Sequence, residues 1–299
     1  MNMTHHAAIR RAVFAWYRRH GRHELPWRKT WRPYTIVVSE MMLQQTTVPT
    51  VIPRYRAFLR TFPSWRALSR AAPADVLRAW RGLGYNRRAL YLHESAKIIV
   101  QRYNSRLPRD PKVLRALPGF GAYMSRAVVI FSYNAPYAAV DVNIARLLSR
   151  WGICASDATP TQYEAAAMQM LPERRSRQWH GALMDFASAI CRRRTPRCDR
   201  CPVATQCASA FASFENSRQI KTEPTRMECG VQIPRRIYRG RIVDVLRDVP
   251  QGLSRDTLGV RIKQDYRSAI DGVWLDNILK TLASEGIVTV QSARWRLVT

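Results

Sequence analysis

Three features of the 299-residue sequence predict a mostly helical, all-α protein with a small α+β module at its C-terminal end. Over residues 7–210 apolar side chains recur at three-to-four spacing, the period of helices that bury one face. Pro33, Pro49, Pro63, Pro73, Pro111 and Pro118 cut that pattern into pieces of ordinary helix length, as a bundle with brief connections requires. Strand-forming runs gather only near the end, where residues 286–290 and 294–298 flank a short polar turn and read as a hairpin.

Taken in order, a helix is expected over residues 40–48, opened by Glu40 within Ser39-Glu-Met-Met-Leu-Gln-Gln-Thr46. A carboxylate in a first turn complements the helix dipole, which is its plainest role there. Helices over 112–116 and 122–132 enclose Leu117-Pro-Gly-Phe-Gly121. Gly119 and Gly121 permit positive φ and close backbone approach, so amides opening the second helix can face a phosphate. Asp141, after the apolar Ala138-Ala-Val140, reads as the N-cap of a helix over 142–150, a place where backbone N–H groups meet a carboxylate. Residues 212–236 lose periodicity and gather Ser, Thr, Pro, Glu and Arg, the composition of a linker. Beyond it, helices over 237–247, 254–261 and 274–284 precede the hairpin, an order that resembles a winged helix. The third of these has Asp271, Asp276 and Glu285 nearby against Lys280 alone, a poor surface for reading bases. Protein contact or structural docking stands beside DNA contact through Arg294 and Arg296 as its use.

Forty-nine Lys and Arg against 21 Asp and Glu give a net charge of +28. Such an excess makes a polyanion the default partner, nucleic acid ahead of a membrane surface. At 46% apolar residues the chain can build real cores, which excludes a disordered coil. The N-terminal residues carry His5, His6, Arg10 and Arg11 without an apolar run, so no export signal is expected. The uncharged run 127–140 is too short to span a bilayer. A soluble, cytoplasmic, nucleoid-associated monomer without membrane contact is the expectation.

Cys191, Cys198, Cys201 and Cys207 have the spacing C-x6-C-x2-C-x5-C. Four thiolates so close suit tetrahedral zinc or a four-iron cluster, whereas disulfides do not suit a chain without a secretory signal. Structural zinc sites usually pair two short knuckles, and only Cys198 and Cys201 form one here, so the spacing favours [4Fe-4S] over zinc. Arg192, Arg193, Arg194, Arg197 and Arg200 beside these cysteines read as a phosphate-facing ridge. Cys154 and Cys229 are expected to be small buried hydrophobes.

In sequence order come Leu25-Pro-Trp-Arg28, the Glu40 segment, Gly82-Leu-Gly-Tyr85, the 117–121 turn, Val140-Asp-Val-Asn143, Leu183-Met-Asp-Phe186 and the cysteine loop. Over residues 8–210 this order resembles the helix-hairpin-helix DNA glycosylases (HhH-GPD, endonuclease III-like). Within that superfamily it is most similar to the A/G-specific adenine glycosylase (MutY) branch, which the Gln44-Gln45 pair favours. The resemblance implies a two-domain glycosylase fold: a helical barrel with the helix-hairpin-helix over 36–145, an iron-sulfur domain from 1–35 and 146–211, the linker 212–236 and the module 237–299.

The same resemblance implies roles for particular residues. Glu40 would protonate the departing base and Asp141 would stabilise the cationic sugar, a division that needs one neutral and one charged carboxyl. Trp27, Arg28, Tyr123, Asn143 and Asp185 would form the pocket for the flipped base, with Asp185 in contact with it. Gln45 and Tyr85 would be wedges that fill and prise the base stack, offsetting the few kcal/mol that extrusion costs. Gly119 and Gly121 would hold the DNA backbone, and the four cysteines a [4Fe-4S] cluster. Tyr123 stands where bifunctional relatives have a lysine nucleophile, implying a monofunctional enzyme without strong AP-lyase activity. The expected substrate is double-stranded DNA with a mismatch or lesion, and the expected reaction excision of adenine opposite G or 8-oxoguanine. Excision of thymine or uracil opposite G, or of another modified base, is the alternative reading, and a non-catalytic DNA-binding scaffold is the alternative from another class. The chain departs from the adenine-specific pattern at Asn86, where a second tyrosine is usual, and at Val142, where glycine is usual. Its C-terminal region also does not resemble the nucleotide-hydrolase-like domain of that branch.

Overall fold

The polypeptide was described as a computed structural model covering residues 3–213 and 223–299. Its elements run α1 (Met3–His20), α2 (Pro33–Leu43), α3 (Val48–Thr61), α4 (Trp65–Arg70), α5 (Pro73–Ala79), α6 (Arg87–Tyr103), α7 (Pro111–Leu114), α8 (Ala122–Tyr133), α9 (Val142–Arg150), α10 (Pro160–Gln169) and α11 (Ser176–Ala189). There follow β1 (Thr225–Glu228), β2 (Val231–Pro234), α12 (Arg235–Arg247), α13 (Arg255–Ile262), α14 (Ser268–Ser284), β3 (Val288–Gln291) and β4 (Arg294–Leu297). The expected all-α body and small C-terminal α+β module are therefore both present. Among the described residues no helix is long and apolar enough to cross a membrane.

The chain forms two compact units, Met1–Glu40 with Leu107–Arg218 and Met41–Arg106 with Gln219–Thr299. In the first, α1, α9 and α11 pack together around Ile9, Val13, Leu147, Trp151, Trp179 and Phe186. Proline does much of the local work. Pro33, Pro73, Pro111 and Pro160 stand in the first turn of their helices, where the missing N–H is not needed and φ is already suitable. Asn134 ends α8 in the left-handed region at φ 53, a stop Asn tolerates better than most residues.

In the second unit α4 and α5 pack on α6, and the C-terminal module packs on α5 through α12 and β4. The wing is an antiparallel pair, Val288↔Leu297 to Gln291↔Arg294, closed by Ser292 and Ala293 at φ 49 and 58. Two consecutive positive φ values match a primed turn, whose twist suits the strands. Leu253 adds a bridge to Trp295, giving the module a third short edge.

The structure departs from the sequence expectation at three places. The stretch expected as a linker contains the hairpin β1–β2 between Thr225 and Pro234, whereas residues 214–222 of it lie outside the described residues. The hairpin owes its place to partners far along the chain: Arg226 pairs with the buried Asp271 at 2.6 Å, and buried Glu228 pairs with Arg241 at 2.6 Å. Those same partners explain why α14 begins at Ser268 rather than 274, since Asp271 in its first turns is neutralised by Arg226 and Lys263. Cys229 is exposed rather than buried, because it sits at φ 45 on the hairpin tip.

Candidate active site

Glu40 lies near the end of α2, not at the start of a helix. Pro33 begins the helix and the run Ile36-Val37-Val38 is buried within it, so Glu40 is not a first-turn carboxylate and does not complement the positive pole. A carboxylate at this end faces the negative pole of the helix instead. Burial pushes the Glu40 carboxyl up to about 7, and the charge of Asp141 adds to the rise, against opposition from the Tyr123 hydroxyl and the Arg28 guanidinium. The Tyr123 hydroxyl donates to Glu40 Oε2 at 3.4 Å. Burial, with Glu40 and Asp141 adding to it, pushes that phenol well above its ordinary value, so it stays a donor.

Asp141 caps α9 as the sequence indicates. Its Oδ1 accepts from the Asn143 and Ile144 N–H groups at 2.9 and 2.8 Å, and its Oδ2 accepts from Asn143 Nδ2 at 2.7 Å. Asn143 is in turn held by Arg146, whose Nη1 donates to Asn143 Oδ1 at 3.0 Å while Nε donates to the Cys191 carbonyl at 3.1 Å. His180 secures the segment before Asp141: the Ala139 N–H donates to its Nε2 at 3.0 Å, and Nδ1–H donates to the Ser176 carbonyl at 2.7 Å. Burial pulls His180 down to about 4, leaving the neutral ring this pairing needs. Sequence reasoning missed both residues. Arg146 could have been found from its i+3 spacing to Asn143, whereas nothing local marks His180.

Trp27 is buried beside Arg28 in a short 3-10 turn, Pro26–Arg28. Asp185 is 2% exposed. Its Oδ2 accepts the Arg22 N–H at 2.8 Å, and its Oδ1 takes Arg22 Nε at 2.8 Å and Arg28 Nη2 at 3.1 Å. Those donors occupy most of what a carboxylate can accept. Arg28 also donates to the Tyr17 hydroxyl and the Gly181 carbonyl. Asp185 thus holds Arg28, whose guanidinium bears on Glu40.

In the helix-hairpin-helix turn, Gly119 has φ 79 and needs glycine for its backbone. Gly121 does not: as N-cap of α8 it is extended, with φ −76 and ψ −176. An added Cβ there would meet only open space.

The two wedge candidates belong to the second unit, and both have left-handed backbones, Gln45 at φ 56 and Tyr85 at φ 46. Gln45 has already left α2, which ends at Leu43. Strain of this kind persists only where neighbours over-determine it. The neighbour is Arg88, another residue the sequence reading missed. Arg88 is buried, and Nη1 donates to the Met41 carbonyl at 2.7 Å and to those of Met42 and Gln44, while Nη2 donates to Leu83 at 3.0 Å and Gly84 at 3.3 Å. One guanidinium thereby caps the C-terminus of α2 and ties it to the Gly82–Tyr85 turn, with the Tyr85 ring 5.3 Å away. A cavity of about 350 Å³ opens here, lined among others by Gln44, Gln45, Tyr85, Asn86, Arg239 and Glu285.

The four cysteines lie in the first unit at the end of α11. Arg150 reaches them from α9: Nη1 donates to Cys191 Sγ at 3.3 Å and to the Arg192 carbonyl at 2.8 Å, and Cys207 Sγ donates to the Arg150 carbonyl at 3.2 Å. Burial pushes the Cys201 thiol up to about 11, with Cys191, Cys207 and Cys198 adding to it, so the four sulfurs feel one another. Among the described residues no three His, Cys, Asp or Glu side chains converge as ligands of a single metal ion. Arg192, Arg193, Arg194, Arg197 and Arg200 are all exposed.

Two outcomes follow from this geometry. Between pH 4.5 and about 7 native Glu40 keeps a proton that the unfolded chain gives up, so its contribution to stability falls across that window and stays low above it. Glu40→Gln is expected to stabilise the chain by on the order of 1–3 kcal/mol near pH 8 and to change little near pH 4, read by urea denaturation. Arg88→Met strands several buried carbonyls and is expected to lower stability by roughly 2–4 kcal/mol in the same measurement.

The sequence pattern of the HhH-GPD superfamily base excision DNA repair proteins matches residues 38–173. An adenine DNA glycosylase of Mycolicibacterium smegmatis is 36% identical over 277 residues, covering 91% of this chain and 92% of that protein. So long a match extends into the C-terminal module. A thymine-DNA glycosylase of Aeropyrum pernix is 33% identical, over 67% of this chain and 93% of that one. The solved structure of a thermostable thymine-DNA glycosylase superposes with a TM-score of 0.65 at 26% identity, covering 69% of this chain and 96% of that one. The chain belongs to the HhH-GPD superfamily of base excision DNA repair proteins.

Proposed function

We propose that the chain is a monofunctional DNA glycosylase that hydrolyses the N-glycosidic bond of adenine mispaired with G or 8-oxoguanine in duplex DNA. The observation that carries this reading is the Glu40 carboxyl, pushed up to about 7 beside the hydroxyl of Tyr123. At neutral pH a large fraction of Glu40 holds a proton it can give to the departing adenine. Asp141, gripped by three N–H donors, faces the positive charge that develops on the sugar. Once the base has left, the Glu40 carboxylate takes a proton from water as it attacks the sugar carbon. Two carboxyls in different environments thereby divide acid and electrostatic work. Arg28 and Asn143 complete the surroundings of the flipped base with Trp27, and Asp185 fixes Arg28.

The phosphate backbone is met by amides opening α8 after Gly119 and Gly121 and by the exposed arginines of the cysteine loop. Cys191, Cys198, Cys201 and Cys207 are the residues that would hold a [4Fe-4S] cluster, and the sulfur-only donor set with Arg150 bonded to two of them suits it. Such a cluster would staple the loop that carries the arginines. Adenine stands first because the match to the mycolicibacterial adenine glycosylase extends beyond the catalytic body into the C-terminal module. Thymine opposite G is the second reading, supported by the similarity to the Aeropyrum enzyme.

Duplexes with A, T or U opposite G or 8-oxoguanine, treated with alkali after incubation, separate these readings. Strand breaks are expected for A alone, and breaks only at T or U would replace the adenine reading. Glu40→Gln is expected to lose about 10²–10⁴-fold in excision rate, the wild-type rate is expected to fall as pH rises through about 7, and borohydride is expected to trap no strong adduct. Purified chain is expected to contain about four iron atoms and about four sulfides, and Cys198→Ser to lower the iron measured by elemental analysis.

A further inference from the structure

The turn that carries Tyr85 has three left-handed residues within four positions, Gly82 at φ 79, Gly84 at φ 67 and Tyr85 at φ 46, while Tyr85 is 58% exposed. Arg88 braces this turn from within. A second guanidinium braces it from the C-terminal module. Arg247, the last residue of α12 and 5% exposed, donates from Nε to the Leu77 carbonyl at 2.9 Å and from Nη2 to Asn86 Oδ1 at 2.8 Å. Its Nη1 pairs with Asp244 on its own helix. All three nitrogens are therefore used, and they join α12, the end of α5 and the turn.

Asn86 is spent on this contact. It occupies the N-cap position of α6, yet its side chain makes no capping bond to that helix; its oxygen takes Arg247 instead. Asn86 is also the position where the chain departs from the second tyrosine usual in the adenine-specific pattern. The third helix of the module, α14, is an unsuitable reader of DNA: Asp271 on it is buried in ion pairs, Asp276 pairs with Arg255, and its exposed side chains include Ile270 and Val273.

We propose that the C-terminal module acts as a brace for the wedge turn, with Arg247 a positioning residue that sets the attitude of Tyr85 through Asn86. The inference rests on the proposed function only in taking Tyr85 as the side chain that enters the duplex. Burial would favour replacing such an arginine by an apolar residue unless its directed bonds were needed, and here those bonds end on the turn. Loss of the brace frees a strained turn, which relaxes and no longer presents Tyr85 in one orientation.

Full-length Arg247→Met, Asn86→Ala and the double variant test this by two independent readouts. Amide hydrogen exchange in residues 82–88 is expected to rise about tenfold in each single variant, with the double variant no faster than either, as one shared interaction requires. Single-turnover excision from a fully stacked A-containing mispair is expected to fall about tenfold, and from a duplex whose target adenine faces an abasic site by no more than about twofold, since that base is already unpaired. Equal losses on the two duplexes, or unchanged exchange in 82–88, overturn the brace. If Arg247→Met does not fold, Asn86→Ala carries both readouts, because it leaves the Arg247 contact with Leu77 in place. If the wild-type chain excises from neither duplex, the glycosylase reading fails, while the exchange result still decides the brace.

Discussion

A carboxyl group kept from ionising is the constraint on which the proposed chemistry of this protein depends. Glu40 sits near the negative end of α2, is largely enclosed by protein, and has Asp141 close enough to raise it further. Every one of these features destabilises a charged glutamate. Tyr123 and Arg28 hold the effect to about 7 rather than letting it run higher. The result is a group that gives up its proton within the range where an acid is most useful. Asp141 is the complement, a carboxylate in the same unit whose oxygens meet N–H donors from its own helix start.

Around this pair the protein uses arginines as links between segments. Arg28 links Tyr17, Gly181 and Asp185, Arg146 links Asn143 to the Cys191 carbonyl, and Arg150 joins the cysteine loop to α9. In the second unit Arg88 and Arg247 do the same for the turn that carries Tyr85. The planar fork of arginine can satisfy several carbonyls in fixed directions, which a lysine cannot. The net charge of +28 therefore has two components. Exposed arginines such as those of the cysteine loop give a surface suited to a polyanion, and buried ones hold neighbouring polar groups in place. Only the first was visible as composition.

Much of the architecture was legible in the sequence. The helical period, the proline punctuation, the N-cap at Asp141 and the terminal hairpin are local signals, and the elements they mark are present. What local signals got wrong has a common cause in long-range partners. The start of α2 was placed at Glu40 because a buried apolar run before it does not announce its period. The hairpin β1–β2 was taken as linker because Arg226 and Glu228 find their counter-charges more than ten residues away, on α12 and α14. Asp185, which the resemblance put at the base, finds its partners in Arg22 and Arg28, over 150 positions earlier.

By itself the sequence determined which chemistries are available: two carboxyls and a tyrosine at motif positions, a set of four thiols, a glycine turn before a helix, and an excess of arginine. Those are properties of residue type and spacing, and they survive any arrangement of the chain. Only the tertiary structure decided which carboxyl holds a proton, which acid is already paired, and which arginine restrains which turn. Ionisation and hydrogen bonding depend on burial and on neighbours brought together by folding, and the neighbours of Glu40, Asp185 and Asn86 lie about 80 to 160 residues away in the chain.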